Sequence, residues 1–266
     1  LLFDLSKAAK AIKFFGYLKL FEGQHAGQPF KLEPWQKFIV GSLFGWLTED
    51  GFLRFRLAYI EGGKGCGKSP LLAGFGLYML CGDREEDAEC YAAAVTRDQA
   101  KIAFNDARRM VEASSDLASR INVLENNLHY RKRGSFFRPI SSEARALDGK
   151  RVHFAGIDEI HEHRTSIVVD KMRAGTKGRR QALIIEITNS GYNRLSVCFQ
   201  HHTYSRQILE QTLRNDAWFA YVCQLDVCES CRAEGKMNPT ENCRDCDDWT
   251  DEAVRIKANT NHGVSI

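Results

Sequence analysis

The stretch Gly62-Gly63-Lys64-Gly65-Cys66-Gly67-Lys68-Ser69 constrains this chain more than any other. Gly62, Gly67, Lys68 and Ser69 satisfy G-x-x-x-x-G-K-[ST], the phosphate-binding loop. A polyphosphate needs many backbone N–H groups converging on it, and only a chain with little side-chain bulk wraps that closely. In such a loop the lysine reaches the β- and γ-phosphates and the hydroxyl ligates Mg²⁺, which assigns those roles to Lys68 and Ser69. The flanks agree. Residues 55–60 form an apolar run that reads as a buried strand. Residues 71–80 read as a helix whose N-terminal dipole favours an anion. Pro70 is compatible with a first helical turn. The pattern predicts a nucleoside triphosphate held by residues 62–69, namely Gly62, Gly63, Lys64, Gly65, Cys66, Gly67, Lys68 and Ser69.

Hydrolysis requires more than a loop. It needs an acid at the end of a neighbouring buried strand to hold Mg²⁺, and a base to orient the attacking water. Residues 151–157 read as such a strand, and they end in Asp158-Glu159. Asp158 is assigned to Mg²⁺ and Glu159 to the catalytic base. Adjacent carboxylates leave a strand in different directions, so each can take a separate role. Residues 182–188 read as the next strand, ending in Thr188-Asn189-Ser190-Gly191. A polar cluster there is suited to sensing the γ-phosphate, because a group that bonds it only before hydrolysis gives two states of different energy. No kinase-type catalytic loop and no N-K-x-D-like guanine reader follow, which favours an ATPase. Trp35 and Gln36 admit two readings. They either cover and read an adenine, or they are a core Trp and a surface Gln.

The remaining pattern predicts helices over 5–20, over 34–46, and from a Thr96-to-Gln99 cap to about residue 111. It also predicts a strand at 90–95, a hairpin over 128–140 turning at Arg133-Gly134, a helix over 204–214 and a strand over 218–224. Strands alternating with helices indicate an α/β fold with a mostly parallel sheet and helices on both faces. The chain has 266 residues, 44% hydrophobic and 27% charged, which is ordinary for a soluble globular protein. It has no apolar run of ~18 residues and no signal peptide, so no membrane association is expected. It starts at Leu1 without methionine, which suggests a piece of something longer. A net charge of +3 does not by itself argue for nucleic acid. The basic runs 131–133 and 177–180 read equally as nucleic-acid contacts or as solvated turns.

Cys228-x2-Cys231-x11-Cys243-x2-Cys246 is the second chemically specific feature. Two CxxC pairs around a short polar segment match a tetrahedral four-cysteine zinc site; the competing reading is disulfides. The segment is too polar to build a core, so a metal would supply the folding energy. Cys223 reads as a buried strand residue, and Cys66, Cys81, Cys90 and Cys198 as small core residues.

Taken together, Pro34-Trp35-Gln36, the 63–69 loop, 94–100, Leu147-Asp148-Gly149, Ile157-Asp158-Glu159 with His161-Glu162, Thr188-Asn189-Ser190 and Ala258-Asn259-Thr260-Asn261 resemble the large terminase subunit of tailed bacteriophages. The resemblance implies a P-loop ATPase of RecA-like (ASCE) type. It also implies a nuclease beyond Ile266, double-stranded DNA, a portal protein and a small terminase subunit as partners, a homo-oligomeric ring on the procapsid, and action in the host cytoplasm. Lys64 occupies the slot where the family carries a basic residue, so the resemblance puts a cis-acting charge on the γ-phosphate, without the bidentate fork of Arg. Arg145 is the implied arginine finger, with Arg151 behind it. Thr188-Asn189-Ser190-Gly191 departs from the family's Thr-Thr-Ala-Gly-like motif, and the cysteine cluster is not a family feature. The expected division is 1–50 as an adenine-side helical segment, 51–225 as ATPase core, 226–248 as a zinc knuckle, and 249–266 as a lead towards the nuclease. Two other readings stand beside this one: a helicase- or restriction-type DNA motor, and a zinc-dependent nucleic-acid-binding module with a vestigial nucleotide site.

Overall fold

A computed structural model describes residues 1–142, 149–191, 193–236, 239, 243–248 and 250–259. Strand β1 (Leu2–Phe3) precedes helix α1 (Leu5–Phe15), whose first turn is capped by the Asp4 carboxylate accepting from the N–H groups of Ser6 and Lys7. Helix α2 (Pro34–Gly45) opens with Pro34 and a Glu33/Gln36 capping box, and β2 (Trp46–Leu47) pairs antiparallel with β1. Strand β3 (Leu57–Glu61) runs into the glycine-rich loop and helix α3 (Lys68–Leu77). Next come β4 (Glu89–Ala94) and α4 (Arg97–Ala113), with Thr96 and Gln99 closing the expected cap. A short α5 (Ser115–Ala118) leads to β5 (Ile121–Leu124), β6 (Asn127–Tyr130) and β7 (Ser135–Ser141). The chain continues through β8 (Val152–Ile157), α6 (Ile167–Gly175), β9 (Leu183–Thr188), α7 (Val197–Leu209) and β10 (Trp218–Val222). Short helices α8 (Glu229–Ala233) and α9 (Glu252–Ala258) close it.

The main sheet has the order β10-β3-β9-β8-β4-β7-β6-β5. Strands β10 through β7 are mutually parallel, and β6 and β5 turn back antiparallel at one edge. Parallel strands need crossovers, and those crossovers cover both faces, so the central strands are buried on each side. Side chains alternate accordingly. Ala58 and Ile60 of β3 and Leu183, Ile185 and Ile187 of β9 face the core shared with α1 to α4. Leu57, Tyr59 and Ile184 face the core shared with α6 and α7. The expected α/β architecture is therefore present.

Three boundaries differ from the sequence expectation. The helix expected over 204–214 is α7, which starts at Val197 and ends at Leu209. The Ser196 hydroxyl caps it by accepting from the Phe199 N–H, well before the expected start. The helix expected over 5–20 stops at Phe15, because the Gly16 and Tyr17 N–H groups bond back to Lys13 and Phe14 and turn the chain. Helix α3 starts at Lys68, so the whole GKS segment lies at its N-terminus. Strand β5 and helix α6 have no counterpart in the sequence expectation. Among the described residues no helix is long and apolar enough to cross a membrane.

Candidate functional site

In an open α/β sheet, ligands bind outside the carboxyl ends of the strands. Here the ends of β3, β9 and β8 deliver the loop, the 188–190 turn and the acid pair to one edge, with β9 between the other two. Gly65 and Gly67 have φ of 78° and 81°, a left-handed backbone that side-chain-bearing residues rarely adopt. Gly63 is needed for a different reason: a Cβ there would lie 2.9 Å from the Asn259 Cβ and 3.0 Å from the Ala258 carbonyl oxygen. The Gly63 N–H donates to that carbonyl at 3.0 Å, and Asn259 Nδ2 donates to the Lys64 carbonyl at 3.3 Å. The end of α9 thus lies directly against the loop.

Lys68 is buried, and its ammonium donates to the carbonyl oxygens of Gly62 (2.9 Å) and Gly63 (2.7 Å) and to Asn189 Oδ1 (2.7 Å). The amide nitrogen of Asn189 donates to both oxygens of Glu159 at 3.3 Å. One amide therefore joins the loop lysine to the second acid. The Ser69 hydroxyl lies near enough to Asp158 to favour its charged form, so the two candidate metal-holding groups are neighbours. Burial and the Glu159 charge push the Asp158 carboxyl up to about 6, while the Glu159 N–H at 2.9 Å, the nearby Ser69 hydroxyl and the Lys68 charge pull it back. Glu159 adopts φ 48°, an uncommon left-handed conformation for a residue with a side chain. Lys64, Lys68, Ser69, Glu159 and Asn189 together line a cavity of about 330 Å³.

Several other expected residues do not line this cavity. Trp35 stacks on Tyr221 of β10, with centroids 5.8 Å apart and planes at 20°. Gln36 is buried, and its Oε1 accepts from the Glu33 N–H at 2.9 Å within the α2 cap. Thr188 is buried, and its hydroxyl donates to the Asn189 carbonyl. Arg145, Leu147, Asp148, Thr260 and Asn261 lie outside the described residues. Arg151 is exposed beside Glu89. His161 has no role in the sequence reading, yet its Nδ1 lies 3.0 Å from Thr188 Oγ1 and 3.1 Å from Glu159 Oε2. Its position two residues past Glu159 is a usable signal.

Asp106, on α4, is also absent from the sequence reading. Burial pushes its carboxyl up to about 7, with the charges of Glu22 and Asp158 adding to the effect. Folding raises this pKa, so the group favours the folded state below the unfolded value near 4. That contribution is lost as pH rises through about 7. Asp106→Asn is expected to be more stable than the parent at pH 8, on the order of 1–2 kcal/mol, with the gain vanishing towards pH 4. Thermal melts across that range check it.

The four cysteines converge. Sγ atoms of Cys228, Cys231, Cys243 and Cys246 all lie within 4.8 Å of one another. Cys228 Sγ is 3.6 Å from Cys243 Sγ and 3.5 Å from Cys246 Sγ, beyond disulfide bonding and near the ~3.8 Å edge that ~2.3 Å Zn–S bonds give a tetrahedron. None of the four is in a disulfide. The Ser230 hydroxyl and the Cys231 N–H lower the Cys228 thiol to about 6, towards the thiolate that metal ligation needs. Among the described residues, Val227 is the one aliphatic side chain in the small cluster around them. Beside the cluster, Lys257 of α9 bridges Asp226 (2.8 Å) and Asp247 (2.9 Å), tying α9 to it.

Comparison with known proteins supports the same assignment of fold. Protein YmfN of Escherichia coli (strain K12) is 35% identical over 119 residues, 45% of this chain and 22% of that protein. The large terminase subunit of Enterobacteria phage HK97 is 24% identical over 184 residues, 65% of this chain and 34% of that one. The crystal structure of the HK97 bacteriophage large terminase superposes with a TM-score of 0.76 at 18% identity, covering 97% of this chain and 48% of that chain. The chain thus spans less than half the length of these relatives. The family model described as terminase large subunit, ATPase domain, matches residues 34–207, about two-thirds of the sequence, and this chain belongs to that family.

Proposed function

We propose that this chain is the ATP-hydrolysing part of a viral genome-packaging motor, coupling Mg-ATP turnover to movement of double-stranded DNA. The observation that carries the reading is the shared cavity lined by Lys64, Lys68, Ser69, Glu159 and Asn189, drawn from three separate strand ends. Residues 62–69 cradle the phosphates, with their N–H groups at the α3 N-terminus. Lys68 exchanges its loop carbonyls for β- and γ-phosphate oxygens, and Lys64 adds a second positive charge at the exposed lip. Ser69 and Asp158 are the pair suited to Mg²⁺, which would neutralise charge on the β- and γ-oxygens. Glu159 orients and deprotonates the attacking water. On this reading Trp35, stacked on Tyr221, covers the adenine, and Gln36, buried with its oxygen held in the α2 cap, has only its amide N–H groups left to read the base. The 188–190 turn is the coupling element. Asn189 spans Lys68 and Glu159, so a γ-phosphate that recruits Lys68 also changes what holds the base.

Zn²⁺ is the ion that fits the four-thiol centre best, in a structural role. About one zinc per chain is expected by elemental analysis, falling sharply in Cys243→Ser. Freely reactive thiols without bound zinc would defeat that reading. The portal, the small terminase subunit, ring assembly on the procapsid and action in the host cytoplasm follow from family membership as proposals. The basic test is Mg-dependent release of phosphate from ATP by the purified chain, with and without double-stranded DNA. No turnover at high protein concentration, where neighbouring copies can complete the site, would count against the motor.

A further inference from the structure

Helix α7 carries two adjacent histidines, and each meets a buried carboxylate from the middle of the sheet. His201 Nδ1 lies 2.6 Å from Glu186 Oε2, and His202 Nδ1 lies 2.8 Å from Glu61 Oε2. Glu61 is 3% exposed and Glu186 is fully buried. Such pairs are expensive to bury, and well-packed apolar residues would dock a helix at least as tightly. Their presence calls for a reason beyond holding α7 in place.

The two pairs differ in what else they touch. Among the described residues, the second oxygen of Glu186 has no hydrogen-bond partner. Glu61 is the last residue of β3, immediately before Gly62, and its second oxygen accepts from the Ser190 hydroxyl at 2.9 Å. Its first oxygen also accepts from the Tyr59 hydroxyl at 2.7 Å. Burial opposes the charge of Glu61, but His202, Tyr59 and Ser190 outweigh it and hold the carboxyl below its usual range. Ser190 follows Asn189, which bonds Lys68 and Glu159. A continuous path therefore runs from the loop lysine and the acid through the turn to Glu61, and from Glu61 to α7. Ser190, Arg194, Phe199 and His202 also line a cavity of about 300 Å³ alongside, so the turn and the helix have room to shift.

We propose that Glu61 is a positioning residue: through Ser190 and His202 it sets the 188–190 turn against the phosphate site and relays the state of that turn to α7. This rests on the nucleotide-hydrolysing reading above. When the γ-phosphate draws Lys68 away from Asn189, the turn shifts, the Ser190–Glu61 bond is altered, and Glu61 answers through His202. The Glu186–His201 pair lies one strand over on the same helix and serves as the internal control.

The test combines steady-state ATPase kinetics with amide hydrogen exchange over Val197–Leu209, measured with and without Mg-ATPγS. The parent chain is compared with Glu61→Gln, His202→Gln and Glu186→Gln. Binding of ATPγS is expected to change exchange in α7 of the parent and of Glu186→Gln, and to leave it unchanged in the other two. In Glu61→Gln and His202→Gln, kcat is expected to fall about tenfold with KM within about twofold, as for a lost bond to a buried charge. His202→Gln alters the partly exposed end of the link and keeps the test open if the buried substitution perturbs folding. An equal kcat loss in Glu186→Gln, or a parent-like exchange response in Glu61→Gln, would overturn the proposal and leave the nucleotide site standing. A parent chain that binds no ATPγS would instead refute the nucleotide reading, and the relay with it.

Discussion

Glu159→Gln is expected to lower kcat for ATP hydrolysis by roughly a hundredfold to ten-thousandfold, with nucleotide affinity changed by less than about threefold. The selectivity follows from what the substitution keeps. Gln has the size of Glu, and its amide oxygen can still accept from Asn189 Nδ2, which reaches both Glu159 oxygens at 3.3 Å. It loses the ability to take a proton from water. The left-handed backbone at Glu159 supports the assignment, because φ 48° costs free energy at a non-glycine residue and persists where surroundings impose it. Those surroundings are His161, 3.1 Å from the carboxylate, and Asn189. Single-turnover hydrolysis together with titration by a fluorescent ATP analogue separates binding from chemistry. Parent-like hydrolysis in the variant would mean that another group activates the water.

Lys68→Ala is expected to weaken ATP binding by about a hundredfold, since two charge-assisted hydrogen bonds to phosphate are each worth on the order of 1.5 kcal/mol. The loss acts on the loop as well. The Lys68 ammonium ties Gly62 and Gly63 to Asn189, so its removal frees the loop and the turn from each other. Lys68→Arg restores the charge without the fit, because a planar guanidinium cannot enter the buried position of a slender ammonium. It should recover little of the affinity. Calorimetric titration of both variants checks this, and an affinity within about threefold of the parent for Lys68→Ala would remove the lysine from its role.

The nucleotide edge was legible in the sequence because its chemistry depends on short spacings: G-x-x-x-x-G-K-S after an apolar run, and Asp-Glu after another. The parallel sheet was legible for a related reason, since strands buried on both faces read as unbroken apolar runs. Helix α7 was misplaced because apolar periodicity sees only apolar contacts. Its first turn, Val197-Cys198-Phe199, is apolar, but the next brings Gln200, His201 and His202, whose imidazoles dock on carboxylates, so the apolar period is broken before Tyr204. Helix α6 begins Ile167-Val168-Val169, a β-branched run that reads as extended, and tertiary burial of Val168 and Val169 overrides the preference. Strand β5 is four residues at a sheet edge, too short to show a period. At the site, the residues were readable but their partners were not. Asn189 was expected at the γ-phosphate end, yet nothing in one dimension says that it spans Lys68 and Glu159. Nor does anything there say that Glu61 points across to α7, or that Ala258 and Asn259 come back to rest on Gly63.

The position of β9 between β3 and β8 has a metric consequence. Neighbouring strands are about 4.8 Å apart, so the lysine loop and the acid pair hang from supports roughly 10 Å apart, with Asn189 at the midpoint. Rigid hydrogen-bonded backbone fixes that interval, and no side-chain adjustment can narrow it. A ligand anchored at the loop must be long enough to come within reach of the far support. On the nucleotide-hydrolysing reading proposed above, the sheet would work as a calliper, registering by length the difference between a chain of three phosphates and a chain of two.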